Sequence, residues 1–261
     1  MNVSLEGKNA VICGSSQGIG LAIAQELASL GANCILIARN AKSLGEAMDT
    51  LQSSLHQNHS FTVADFSKPD EVRIAIQTIL AHQTIHILVN NTGGPVSGPI
   101  TEAKEEEFVN AFHQHLINNH LLTKAVIPGM KRRKWGRIIN IVSTSVKIPF
   151  PNLGVSNTIR AAVASWAKTM ANEVGQYNIT VNNILPGYTE TKRLESLVVQ
   201  TAKKKKLSIE QAREEMVKDI PLKRFGDPSE IAAVAGFLAS PAASYVNGVS
   251  IPVDGGRTGS L

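Results

Sequence analysis

Ala10-Val11-Ile12-Cys13-Gly14-Ser15-Ser16-Gln17-Gly18-Ile19-Gly20-Leu21 decides the fold. A short apolar run ends in a turn with three glycines, and residues 19–30 continue with the apolar spacing of an amphipathic helix. Glycine permits the sharp turn and the close approach of a diphosphate, and the opening of the helix supplies unpaired N–H groups and the positive end of a dipole. Glycine clusters are common in turns. The strand before, the helix after and a second strand ending at Arg39, 19 residues beyond Gly20, are what make this one a dinucleotide loop.

Working outward, apolar runs rich in branched residues recur at 34–38, 61–64, 85–89, 137–142, 180–185 and 249–253. Stretches with helical spacing separate them at 42–55, 69–81, 102–130, 159–174 and 228–238. Strands buried on both faces read as continuous apolar runs. The alternation predicts an α/β fold: one doubly wound Rossmann parallel sheet of about seven strands, with helices on both faces, in a single domain over 1–261. Residues 188–220 break the rhythm. They are charged, helical in spacing and placed after Pro186-Gly187, at the sheet edge where ligands bind in open α/β folds, so they form either a substrate lid or an inert surface hairpin.

Composition narrows the function classes. The 261 residues carry 26 Lys+Arg against 21 Asp+Glu, and eight of those basic residues sit in two runs, 131–134 and 203–206. Charge runs of that kind are usually solvated faces, and aromatics at 5% are too sparse to interleave with them, which disfavours a nucleic-acid partner. Cys13 and Cys34 lie inside apolar runs, so neither a disulfide framework nor a metal cluster is expected. The first residues lack a signal-peptide pattern and no apolar run is long enough to span a bilayer. The expected setting is the cytoplasm, away from membranes.

Cofactor choice falls on Ala38-Arg39-Asn40 at the end of the second strand. An acidic residue there would accept from a ribose hydroxyl and repel a 2′-phosphate, whereas arginine pairs with that phosphate. NADP(H) is therefore expected over NAD(H), against the alternative that Arg39 is a solvated strand-end residue.

These motifs, with others further along, resemble the short-chain dehydrogenase/reductase family over nearly the whole chain. Its Thr-Gly-x-x-x-Gly-x-Gly pattern matches Cys13 to Gly20 with cysteine for threonine, and its Asn-Asn-Ala-Gly motif is similar to Asn90-Asn91-Thr92-Gly93. Its Pro-Gly pair is Pro186-Gly187, and its closing segments are similar to Arg224-Phe225-Gly226-Asp227-Pro228 and Val253-Asp254-Gly255-Gly256. The resemblance implies cofactor contacts from Gly14, Ser15, Ser16, Gln17, Gly18, Ile19 and Gly20, and from Arg39, Asn40, Asp65, Phe66, Asn90, Gly93, Arg160, Pro186, Gly187, Thr189 and Thr191.

The catalytic set departs from the family. There, a serine after the fifth strand is followed by tyrosine thirteen residues later and lysine four further on. Here Ser143 supplies the serine, Ser156 takes the tyrosine place and Arg160 the lysine place, while His115 stands where the family has asparagine. Tyr188-Thr189-Glu190-Thr191-Lys192 has the Tyr-x-x-x-Lys spacing but lies 45 residues past Ser143, so it is a decoy, although Tyr188 can still face the nicotinamide. Arg160 is suited to holding the cofactor ribose, and Ser143 with Ser156 to polarising a carbonyl oxygen. His115 and Tyr188 are the two candidate acids, each with a bland alternative as a helix-face or packing residue.

Two functions remain open. One is an NADP-dependent oxidoreductase acting on a small carbonyl or alcohol, ketoreductase-like and possessing non-standard catalytic residues, with a 3-oxoacyl reductase-like activity as one form of it. The other is a catalytically silent NADP-binding protein that senses cofactor or scaffolds a partner. Family members commonly form homotetramers, so a homo-oligomer, tetramer or dimer, is expected.

Overall fold

The computed structural model describes residues 1–259; Ser260 and Leu261, the last two residues of the expected domain, lie outside the described residues. Seven strands form one parallel sheet in the order β3-β2-β1-β4-β5-β6-β7, so the doubly wound expectation holds. The strands are β1 (Asn9–Cys13), β2 (Asn33–Ala38), β3 (Ser60–Val63), β4 (Ile87–Asn90), β5 (Gly136–Ile141), β6 (Ile179–Pro186) and β7 (Ser250–Val253). Alternation along each strand feeds two cores. Ile12, Leu36, Val89 and Ile139 pack with Ile23 and Leu27 of α1 (Gly18–Ser29) and with Ile231 and Leu238 of α9 (Pro228–Ala239). On the other face Val11, Ile35, Leu88 and Ile138 meet Val72 and Ile76 of α3 (Pro69–His82), Leu122 and Val126 of α5 (Asn118–Arg133) and Ala167 of α6 (Gly154–Val174). Cys13 and Cys34 are buried free thiols whose pKa burial pushes up to about 12, and they serve as small apolar residues.

Two expected helices come out differently. The one expected at 42–55 is α2 (Ala41–Met48): the chain then closes in a tighter turn, with Thr50 and Leu51 N–H donating to the Ala47 and Met48 carbonyls three residues back and the Thr50 hydroxyl sharing the Ala47 carbonyl. The long helix expected at 102–130 is broken into a 3₁₀ turn (Ile100–Glu102), α4 (Glu105–Phe112), a π turn (His113–Ile117) and α5. The widened π turn rotates His115 inward until it is only 1% exposed, while His113 stays at the surface.

The segment expected as a lid contains α7 (Lys192–Lys205) and α8 (Ile209–Val217). They share a small apolar core built on Leu194, Val198, Ala202, Ala212, Ile220 and Phe225. Gly226 N–H donates to the Tyr188 carbonyl and Glu190 N–H to the Gly226 carbonyl, both at 2.9 Å, which closes the base of the excursion. Among the described residues no helix is long and apolar enough to cross a membrane.

A buried amide ladder ties the sheet together beneath the site. Asn90 Nδ2 donates to Asn140 Oδ1 and Asn140 Nδ2 to Asn183 Oδ1, both at 2.9 Å, and Asn183 Nδ2 to Ser250 Oγ at 3.0 Å. These residues are paired in register across β4 to β7, so each amide meets the next without side-chain strain. Asn140→Leu leaves one buried donor and one buried acceptor unmet; urea unfolding is expected to show a loss of about 2 kcal/mol or more. An unchanged midpoint contradicts that role.

Candidate active site

Strand order reverses between β1 and β4, and a cleft of about 1130 Å³ opens beyond the carboxyl ends of the strands there. At one end is the turn from β1 to α1. Gly14 and Gly18 have φ of +59° and +58°, which disfavour any side chain. A Cβ on Gly20 would lie 2.2 Å from the Gly14 carbonyl oxygen, so α1 can start this close to β1 only with glycine there. Ser15 does not face the cleft: its hydroxyl donates to the Ile12 carbonyl and accepts from Ile37 N–H, pinning the turn to β1 and β2. Gln17 holds the N-cap position without a side-chain cap, leaving the first N–H groups of α1 open to an anion. Gly14, Gln17, Gly18, Ile19 and Gly20 line the cleft.

Asn91, not Asn90, is the asparagine at this end. Its Nδ2 donates to the Cys13 and Gly14 carbonyls at 3.2 Å. Asn90, expected at the cofactor, is 2% exposed, stands outside the cleft lining and gives its side chain to the amide ladder. Arg39, Asn40, Asp65 and Phe66 stand at the carboxyl ends of β2 and β3, outside the cleft lining. Arg39 is exposed, and Asn40 caps α2 by accepting from Ser43 N–H. Hydrogen bonds from Ser67 hold the Asp65 carboxyl below its usual pKa, and the nearby Arg39 and Lys68 charges add to this.

At the other end, Ser143, Ser156 and Arg160 line the same cleft, with Gly93, Pro186, Gly187, Thr189 and Thr191 between. Ser143 Oγ accepts from Ser145 N–H at 3.1 Å, so its own proton is free for an acceptor. Ser156 and Arg160 are one helical turn apart on α6. Arg160 is 9% exposed; Nη1 donates to the Ile141 carbonyl at 2.8 Å and Nη2 to the Thr92 carbonyl at 3.4 Å. Burial pushes its pKa down to about 10, with Arg193 adding to the shift, and at neutral pH it stays charged. Thr191 caps α7 and its methyl group lies over Gly18. Tyr188 also faces the cleft, its hydroxyl accepting from Arg257 at 3.4 Å.

His115 is removed from the list of acids. A ring nitrogen pairs with the Thr92 hydroxyl at 2.6 Å, the other has no partner among the described residues, and the ring does not line the cleft. Burial, then the charges of Arg160 and Arg193, push its pKa down to about 2, so it is neutral.

A family model described as enoyl-(acyl carrier protein) reductase matches residues 14–258. The 3-oxoacyl-[acyl-carrier-protein] reductase of Pseudomonas aeruginosa is 36% identical over 258 residues, covering 97% of this chain and 98% of that protein. Dehydrogenase/reductase SDR family member 4 of Sus scrofa is 33% identical, covering 98% and 89%. The chain belongs to the short-chain dehydrogenase/reductase family. Among solved short-chain reductases, the L-sorbose reductase of Gluconobacter frateurii complexed with NADPH and L-sorbose has a TM-score of 0.93 to this fold, at 32% identity and full coverage of both chains.

Sequence reasoning passed over Asn91, Thr92, Arg193 and Arg257. Asn91 and Thr92 stood inside a motif already quoted; Arg193 had a visible signal, a cation in the first turn of a helix.

Because His115 is neutral in the fold and protonates near 6.5 when unfolded, its contribution is present above pH 6.5 and is lost as pH falls toward the folded value. Between pH 6.5 and 5, above the carboxylate range, the loss approaches about 1.4 kcal/mol per pH unit. His115→Asn is expected to flatten this part of the stability–pH curve measured by urea unfolding. Equal slopes in variant and parent contradict it.

Proposed function

We propose that the protein is an NADP(H)-dependent reductase of small carbonyl compounds, run in reverse on alcohols. The observation that carries this reading is that one cleft is lined by the glycine turn at one end and by Ser143, Ser156 and Arg160 at the other. Its volume of about 1130 Å³ exceeds a typical small-molecule pocket, as a dinucleotide plus substrate requires. The donor set fits NADP(H). The uncapped start of α1 faces the cleft, and Arg39 is exposed at the end of β2 with no ion pair within 4.0 Å among the described residues. A Bacillus subtilis relative described as an NADPH-dependent reductase, and the L-sorbose reductase complexed with NADPH, support the same choice.

Bound NADPH supplies a hydride. The chain has to orient the carbonyl, stabilise charge growing on its oxygen and deliver a proton. Ser143 and Ser156 provide the hydroxyl donors, and fixed donors in a water-poor cleft favour the developing charge over the neutral ground state. Arg160, locked by the Ile141 and Thr92 carbonyls, contributes a permanent positive charge and donors for the ribose end of the cofactor, but no transferable proton. Tyr188 is the proton donor in this reading, since its hydroxyl accepts from Arg257 and keeps its own hydrogen. The α7–α8 excursion covers the site as a lid. Association of copies through α4 to α6 is part of the proposal, in keeping with the exposed Val109 and Phe112.

NADPH absorbance followed against a panel of ketones, aldehydes and oxo esters at high enzyme concentration tests it. Turnover is expected, with Ser143→Ala lowering kcat about 100-fold. Tight NADPH binding without turnover anywhere in the panel contradicts the reductase reading and leaves a silent cofactor-binding protein.

A further inference from the structure

The serine end of the cleft breaks local electrostatic rules in one consistent direction. Lys192 and Arg193 are the first two residues of α7, at the positive end of its dipole, where acidic residues are favoured. Arg193 reaches across the cleft, donating from Nη1 to the Gly94 carbonyl at 3.3 Å and from Nη2 to the Pro95 carbonyl at 2.8 Å. Arg160 comes to the same place from α6. A side chain on Gly94 would meet Arg193 Nη2 at 3.5 Å and Arg160 Nη2 at 3.8 Å.

Two guanidinium groups thus close on one point with backbone carbonyls alone as partners. Neither has a carboxylate within 4.0 Å among the described residues. The two carboxylates that line the cleft are engaged elsewhere, Glu190 with Arg213 and Asp227 with the first turn of α9. Arg257 adds a third cation at the cleft, 4.3 Å above the Tyr188 ring and 4.5 Å from that of Phe150. Like charges gathered this way repel, and an anion between them reverses the sign of the interaction.

In the proposed function the cofactor phosphates lie at the uncapped start of α1. Side chains built on Gly14 and Gly20 would meet Asn91 and one on Gly18 would meet Thr191, whereas the paired arginines meet at Gly94. Arg160 is anchored to the Ile141 carbonyl, two residues before Ser143, and Ser156 stands one turn away on α6. We infer that Arg193, with Arg160 behind it, binds a carboxylate of the substrate itself, so that the compound reduced is an oxo acid. The guanidinium forks offer a carboxylate paired, charge-assisted bonds that carbonyls cannot match. This rests on the reductase reading and narrows its substrate class.

The test compares 2-oxo and 3-oxo acids with their methyl esters as substrates of the unmodified protein with NADPH. Acids are expected to exceed their esters in kcat/KM by about tenfold or more. Arg193→Met is expected to lower kcat/KM for the acids by about the same factor, tenfold or more, through KM, and so collapse the acid-to-ester ratio. Arg193→Lys, which keeps the charge without the fork, falls between. Equal use of acids and esters overturns the inference while leaving the reductase intact. A loss of NADPH affinity matching the loss of acid affinity in Arg193→Met also overturns it, by assigning the anion to the cofactor. If no carbonyl compound turns over, the reductase reading fails by itself. Calorimetric titration of the NADP⁺ complex with the same acids then decides the anion site: binding weakened at least tenfold by Arg193→Met supports it, and no binding to the parent contradicts it.

Discussion

The start of α1 lies so close beneath the end of β1 that position 20 has no room for a side chain. Gly20 abuts the Gly14 carbonyl, and Asn91 reaches from the end of β4 to the Cys13 and Gly14 carbonyls. These contacts bring three chain segments together where the strand order reverses, and they leave the uncapped N–H groups of α1 facing the cleft. Ser15, bonded between β1 and β2, keeps the turn from sagging into that space. The diphosphate end is thus made mostly of backbone, whose position depends on glycine at a few places and is independent of side-chain rotamers.

That dependence explains what could be read from the residues alone. Strand identity followed from unbroken apolar runs, because both faces of the sheet are covered, and β2, buried throughout from Cys34 to Ala38, is the clearest case. The edge strand β3 was legible despite exposed Phe61 and Val63. Helix interruptions were not. The π turn at His113–Ile117 sits in a stretch whose apolar spacing suits an unbroken helix, and it accompanies a contact of buried His115 with Thr92, 23 residues away, that local spacing does not carry. For the same reason Asn90 and Asn91, adjacent and chemically identical, could not be told apart. Strand alternation sends one into the amide ladder and the other to the glycine turn.

Thr92 is the hinge between the two chemistries of the site. Its hydroxyl holds His115 and its carbonyl holds Arg160, so one residue of the β4 loop positions both groups that stand in the family's asparagine and lysine places. A neutral imidazole beside a buried guanidinium is a coherent pair, since a second cation there would be repelled by Arg160 and Arg193. The result is a cleft whose Ser143 and Arg160 end carries fixed positive charge and hydroxyl donors. It suits polarising an oxygen and attracting an anion more than shuttling protons along a titrating chain.

Nucleotide binding by the unmodified protein tests the central claim most directly, because the turn, Arg39 and the cleft all converge on it. In an equilibrium fluorescence titration with NADPH and NADH side by side, saturable binding of NADPH about tenfold or more tighter than NADH is predicted, from the charge-assisted pairing of Arg39 with the 2′-phosphate. Absence of binding by either nucleotide, or equal affinity for both, contradicts the account.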